Sequence, residues 1–489
     1  MTNVLGARRA GVLLHPTSLP GAQANGTIGA EAWRFVDWLA AGGFSVWQTL
    51  PIGPVDWYGS PYCQRSTCAG YPRLLDAAHL GSLRELPRGV DFGAAGGERD
   101  GVYRSFARAA NPDHWRAFAA FLRRERRRML PYGLFELCSA RFGAAPWWEW
   151  PAAFRDRSRS DLLELLAEEK DAFRAIVFEQ YLFDLEWTAL KRYANDRGVY
   201  LFGDLPFYVD RNSVELWWYP GLFALDADGR PREVAGVPPD YFNENGQLWG
   251  NPLYDWDAMQ RRGFDWWLAR IEAELERFDL VRIDHFRALE SYWAVPGGAK
   301  TAREGEWRRG RGEELLGALR AKHGELPLVA EDLGIITDEV RALRDRFHLP
   351  GMAVAQFAFD GKADNPHLPA NHVPSSVAYT GTHDNDTTVG WYAGLSDAAR
   401  AEVQRTLHLS APPRVPEFLI DAVYDSVAQL AVVPMQDLLG LGTESRMNVP
   451  GTVAGNWRWR FSWDQVDPGL AALSRARAER SARLVPRAY

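Results

Sequence analysis

The sequence predicts a (β/α)8 barrel, and three observations predict it. Eight short apolar runs end in polar residues, helical patterns separate most of them, and no glycine-rich turn follows the first run. The runs are "GVLLHP" (11–16), "VWQTLP" (46–51), "VYLFGDLPF" (199–207), "LVRIDHF" (280–286), "LPLVAEDLG" (326–334), "GMAVAQFAF" (351–359), "SVAYTGTHD" (376–384) and "AVVPMQDLL" (431–439). An open doubly wound sheet is the alternative, but no G-x-G-x-x-G and no P-loop occurs.

Taken in order, the first and second strands flank the helical pattern "AEAWRFVDWLAAGG". The rhythm then breaks. Residues 52–197 hold the loop "DWYGSPYCQRSTCAGYP" and the helical runs "HWRAFAAFLRRERRRML" and "DAFRAIVFEQYLFDLEWTALKRYAND", which predicts an inserted, mainly helical subdomain after strand two. Its basic run "RRERRR" (123–128) reads as the solvated face of a helix. Residues 208–256 form a second insertion after strand three. "DWWLARIEAELERF", "EELLGALRAKHG" and "TDEVRALRDRF" are the helices before strands four, five and six. The whole chain, 1–489, then reads as one barrel with insertions.

Bulk properties exclude several classes. With 46% hydrophobic and 24% charged residues the chain is expected to fold throughout. A formal net charge of -7 argues against a nucleic-acid binder. Three cysteines, Cys63, Cys68 and Cys138, form no disulfide framework, and a reducing cytoplasm fits them. "MTNVLGARRAGVLLHPTSLPG" is a poor signal peptide, and no run approaches the about 20 apolar residues of a membrane span. Aromatic residues make up 13% of the chain, which reads as a well-filled core or as a cleft whose rings stack on sugars.

Barrel enzymes carry their chemistry at the C-terminal ends of the strands. Those ends present Asp204 in "GDLPF", Asp284 in "RIDHF", Glu331 in "AEDLG", and His383 and Asp384 in "GTHDND". Helix capping is the alternative for the aspartates, but Glu331 is a poor cap. The chain lacks an H-x-x-x-H pair, a cysteine ligand set and a calcium-loop pattern, so no metal or other cofactor is expected. No G-x-S-x-G elbow offers a serine nucleophile.

Carboxylates without a metal point to glycosyl chemistry. A retaining mechanism needs an ionised nucleophile and a protonated acid about 5–5.5 Å apart, held in different surroundings. In "VRIDHFR" (281–287) Arg282 and Asp284 are two apart on a strand, share a face, and should keep Asp284 ionised. His285 should point the other way. Of Glu331 and Asp332 only one can enter the mouth, and Glu331 has the reach of a proton donor.

The motifs "GVLLHPTSLPG", "GVPPDYFNENGQLWGNPLYDW", "LVRIDHFRALESYW", "AEDLG", "YTGTHDNDTT" and "MQDLLGLGTESRMNVPG", in this order, resemble glycoside hydrolase family 77, the 4-α-glucanotransferases. The resemblance runs nearly end to end. It implies a transfer of α-1,4-glucan segments between maltooligosaccharides, with glucose or a maltooligosaccharide as acceptor and no nucleic-acid or membrane partner. It implies that Asp284 is the nucleophile, Glu331 the acid/base and Asp384 the carboxylate that steadies the distorted sugar. It also implies that Arg282, His383, Asp204, Tyr62 and Asn448 line the sugar site, and that Asp240 and Trp249 belong to a lid loop over it. An α-1,4-glucan hydrolase of the same clan and a non-catalytic glucan-binding protein are the alternatives. The chain departs from the family pattern at "SPYCQRSTCAGYP", at "AQANGTIG" and at Asn212.

Overall fold

The computed structural model describes residues 3–55, 59–93, 99–239, 244–410 and 412–485. Its strands are β1 (Arg9–Leu13), β2 (Val46–Gln48), β3 (Tyr200–Leu205), β4 (Glu233–Val237), β5 (Gln247–Pro252), β6 (Leu280–Ile283), β7 (Ser291–Pro296), β8 (Glu306–Arg309), β9 (Leu328–Ala330), β10 (Gly351–Val354), β11 (Ser376–Tyr379) and β12 (Leu430–Pro434). Eight of them pair in parallel in the order β10-β11-β12-β1-β2-β3-β6-β9. Ala330 N donates to Pro350 O at 2.9 Å, which brings β9 against β10 and closes the barrel. All eight apolar runs named above supply one of these strands.

Alternation along the strands sorts the apolar residues into two cores. Leu13, Val46, Phe202, Leu280, Val329, Met352, Val377 and Leu430 fill the barrel interior. Their neighbours Val12, Trp47, Leu201, Val281, Ala330 and Ala378 face outward against the helices. The same period-two rule carries the inward faces of β3 and β6 from Phe202 to Asp204 and from Leu280 to Arg282. The barrel is therefore greasy at its waist and charged at its mouth.

Between β2 and β3 lie the helices Arg99–Ala109, Pro112–Arg124, Arg126–Arg141, Arg159–Glu168 and Lys170–Asp196. "HWRAFAAFLRRERRRML" is thus two helices broken at Glu125. The basic run is a solvated face, as expected: Arg123, Arg124, Arg126 and Arg127 are exposed. Arg124 bonds Asp184 at 2.7 Å and Arg128 bonds Glu276 at 2.6 Å, so two arginines of the run tie this region to neighbouring helices. The excursions after β3 and β6 build a second, antiparallel sheet in the order β5-β4-β7-β8. Strands β7 and β8 carry no clean alternation in the sequence and were not predicted by it. The aromatic content is largely packing: Trp47, Trp217 and Trp267 are fully buried. Among the described residues no helix is long and apolar enough to cross a membrane.

The N-terminal end of the barrel is sealed by one side chain. Arg483 is fully buried, and its guanidinium donates to the carbonyls of Arg9, Tyr424, Ser426 and Ala428 at 2.7–3.1 Å. Burial pulls its pKa down to about 10. Removing it orphans several buried acceptors at once, each costing about 1–3 kcal/mol. Arg483→Ala is expected to lower stability by roughly 3–5 kcal/mol. Scanning calorimetry should find the transition several degrees lower, with activity at low temperature intact because the mouth lies at the other end.

Candidate active site at the barrel mouth

Sheet register assembles the centre of the site. Asp204 on β3 is the direct partner of Arg282 on β6, and Arg282 in turn faces Val329 on β9. Arg282 meets Asp204 with two parallel bonds, Nε to Oδ1 and Nη2 to Oδ2, both 2.9 Å. Its Nη2 also donates to Asp284 Oδ1 at 2.8 Å and to the Tyr62 hydroxyl at 3.1 Å. Glu331 follows β9 by one residue and its N donates to Ile283 O at 3.0 Å, which sets it beside Asp284. Its two oxygens accept from His285 N (2.7 Å) and Leu333 N (3.1 Å). Asp332 points away and bonds Arg344 Nη1 (2.5 Å) and Met352 N (2.7 Å).

Local backbone changes the reading of "VRIDHFR". Strand β6 ends at Ile283, and His285 is left-handed at φ 52°. Alternation therefore does not place His285. Its ring packs edge-on to Trp249 with centroids 4.7 Å apart, and burial holds its pKa near 3, so it is uncharged.

Arg282 alone does not set the charge of Asp284. The guanidinium is shared with Asp204, and three other carboxylates act on Asp284. Burial, and then Asp204, Glu331 and Asp384, push Asp284 above the usual carboxylate range, against the pull of Arg282. Burial likewise pushes Glu331 up to about 7, against Arg282 and the two backbone donors. The two carboxyls titrate as a pair. Within the pair the direct guanidinium bond favours negative charge on Asp284, and Glu331 has no such bond.

The other predicted residues come from four further segments. The Tyr62 hydroxyl donates to Asp204 Oδ2 at 2.6 Å and lies 2.9 Å from His383 Nε2. A phenol has one proton, so His383 must donate through Nε2. Burial lowers the His383 pKa and keeps the ring neutral. Asn448 Nδ2 donates to Asp384 Oδ1 at 2.6 Å, and Asn448 N donates to His383 O at 3.1 Å. Trp249 on β5 is 39% exposed, with its ring edge-on to His285 and Tyr208, the one predicted aromatic left open at the mouth. Asp240 lies outside the described residues.

Capping does not account for these acids. The helices Val214–Trp218 and Thr388–Gly394 are capped by Ser213 and Thr387, and the helix Asp338–Arg346 begins after Thr337. The departures from the family pattern have structural partners: Arg65 bonds Glu136 at 3.0 Å, and Asn212 Oδ1 accepts from Trp147 N at 3.2 Å. Two residues beside the site escaped sequence reasoning. Asp437 is buried and accepts from Thr380 Oγ1 (2.6 Å), Thr388 N (2.7 Å) and Thr388 Oγ1 (2.7 Å), pinning both ends of the loop that carries His383 and Asp384. Arg446 donates to Asp384 O at 2.6 Å. Both sit inside "MQDLLGLGTESRMNVPG", where the sequence alone assigns neither.

Comparison with known proteins shows the family. A family model described as 4-alpha-glucanotransferase matches residues 14–465. A 4-alpha-glucanotransferase of Thermus thermophilus is 46% identical over 98% of this chain and 99% of its own. One of Synechocystis is 42% identical over 96% of each. The solved amylomaltase of Streptococcus agalactiae, in complex with acarbose, superposes with a TM-score of 0.92 at 33% identity, covering 97% of this chain and 99% of that one.

Proposed function

The chain belongs to the 4-alpha-glucanotransferase family, an enzyme of that activity, and from this premise we propose that it moves α-1,4-glucan segments between maltooligosaccharides by a retaining double displacement. In the first step Asp284 attacks the anomeric carbon of a bound donor. The bond from that carbon to the leaving 4-oxygen breaks, and Glu331 gives its proton to that oxygen. In the second step the 4-hydroxyl of an acceptor attacks the same carbon, the ester to Asp284 breaks, and the hydroxyl proton returns to Glu331. Two inversions retain the α configuration.

The observation that carries this reading is the bond from Arg282 to Asp284, with Glu331 beside it and pushed up to about 7. Charge supports the same reading. Asp204, Glu331 and Asp384 all act on Asp284, and one guanidinium answers Asp204 and Asp284. Such a site favours the positive charge that develops on the sugar ring in the transition state. Tyr62, His383 and Asn448 offer polar atoms to that sugar, Arg282 and the fully buried Asp204 hold Tyr62 and Asp284 in place beneath it, and Trp249 offers an open ring for stacking.

Incubation with maltotriose tests the activity. A ladder of longer and shorter oligomers is the expected result. Only shortened products would make the protein a hydrolase, and no turnover would leave only binding. The loop "PPDYFNENGQ" (238–247), which we assign to excluding water from the ester, gives a second measurement. Shortening it should raise the ratio of hydrolysis to transfer, and an unchanged ratio removes the lid from the account.

A further inference from the structure

Asp384 is held in a closed ring of hydrogen bonds whose members come from two loops. Its side chain accepts from Asn448 Nδ2 at 2.6 Å. Its own carbonyl accepts from Arg446 Nη2 at 2.6 Å. The Arg446 Nε donates at 2.7 Å to the carbonyl of Asn448, so one guanidinium grips both residues of the pair. Asn448 N closes the ring on His383 O at 3.1 Å.

Arginine on the rim of a carboxylate-rich site is ordinarily half of an ion pair. Arg446 is not. Among the described residues no carboxylate oxygen lies within ion-pair distance of it, and the donors that bond go to two backbone carbonyls. A planar fork fixes two acceptors at a set separation and angle, which one ammonium on a flexible stem cannot do. The Asp384 carboxylate is exposed at the mouth, and packing does not hold it. The oxygen that accepts from Asn448 also lies 3.4 Å from His383 Nε2. Beyond these two contacts its orientation rests on its backbone, and Arg446 fixes that backbone at the carbonyl.

We propose that Arg446 is a positioning residue for the glucan-transfer reaction, aiming the Asp384 carboxylate by clamping the carbonyls of Asp384 and Asn448 together. The proposal rests on the role given to Asp384 above. An error of about 1 Å in placing a group that acts in the transition state costs roughly a hundredfold in rate. The guanidinium touches no reacting atom, so ground-state binding of the glucan should barely change.

Steady-state kinetics with maltotriose test this on the full chain. Arg446→Lys is expected to lower kcat roughly 10- to 100-fold, with KM within about twofold of the wild type. Combined with Asn448→Ala, the loss should be less than the product of the two single losses, because both substitutions release the same carboxylate. For Arg446→Ala, added guanidinium should restore part of kcat and added ammonium should not, a readout that misfolded protein cannot give. A raised KM at unchanged kcat, fully multiplicative losses, or equal response to the two cations would overturn the proposal. Asp384→Asn run in parallel separates the two readings. An active Asp384→Asn removes the role of Asp384, whereas an inactive one beside a fully active Arg446→Lys removes only the role of Arg446.

Discussion

Asp284→Asn is expected to lower transfer from maltotriose by several powers of ten while the protein keeps its fold. The size follows from what the substitution removes. An amide oxygen is too weak a nucleophile to form the glycosyl ester, so the two-step route closes and no other strand-end group lies on it. The fold survives because the amide oxygen can still accept the 2.8 Å bond from Arg282, and Arg282 keeps its paired bonds to Asp204. Losing one negative charge also relieves crowding among the four carboxylates, so the thermal midpoint should hold or rise slightly. Product analysis with matched calorimetry checks both halves. Wild-type transfer in this variant would show that the covalent route does not run through Asp284.

Glu331→Gln is expected to cost about 100- to 10,000-fold in kcat on maltotriose, the range of a lost general acid. A donor whose leaving group needs no proton isolates the cause. With α-glucosyl fluoride the first step should run at close to the wild-type rate, and the defect should move to the second step, where the acceptor must lose a proton. The pH profile carries the same assignment. Burial raises the Glu331 pKa to about 7, so the acid form persists up to that pH and is lost above it. In the wild type kcat/KM should fall by about a factor of ten per pH unit above that point, and the limb should be absent in Glu331→Gln. An unchanged limb in the variant would assign it to another group.

The barrel was legible because its strands are buried on both faces and end in charge. "LFGD" and "LVRID" each carry an apolar residue and then a charged one on the same inward face, and the register of β3 with β6 turns that pattern into the bond between Asp204 and Arg282. Alternation extrapolated past the end of β9 also matched the opposite directions of Glu331 and Asp332. It failed at His285, where the strand stops at Ile283 and the chain turns left-handed. A period-two rule has no hold on a residue outside the strand. The charge of Asp284 was half legible: the sequence shows Arg282 two residues away, but the competing claim of Asp204 is a fact of the sheet. Strands β7 and β8 were hidden because β8, "EWRR", is exposed on both faces and leaves no apolar alternation to read. Arg446 and Asp437 were hidden for another reason. Each acts on backbone groups or hydroxyls of a distant loop, and a one-dimensional pattern does not show which loops meet.

The pairing of β1 with β12 sets a timetable for the growing chain. Residues 9–13 leave the ribosome early, but their partner strand, residues 430–434, and the side chain that seals that end, Arg483, come about 420 residues or more later. At typical elongation speeds that is a wait of about 20–80 s. Throughout it one side of a strand that ends up fully buried has no neighbour, and an open strand edge is what misassembly feeds on. The barrel therefore closes only after residues 430–434 have emerged, and its yield in a cell should depend on whatever shields the first strand until then.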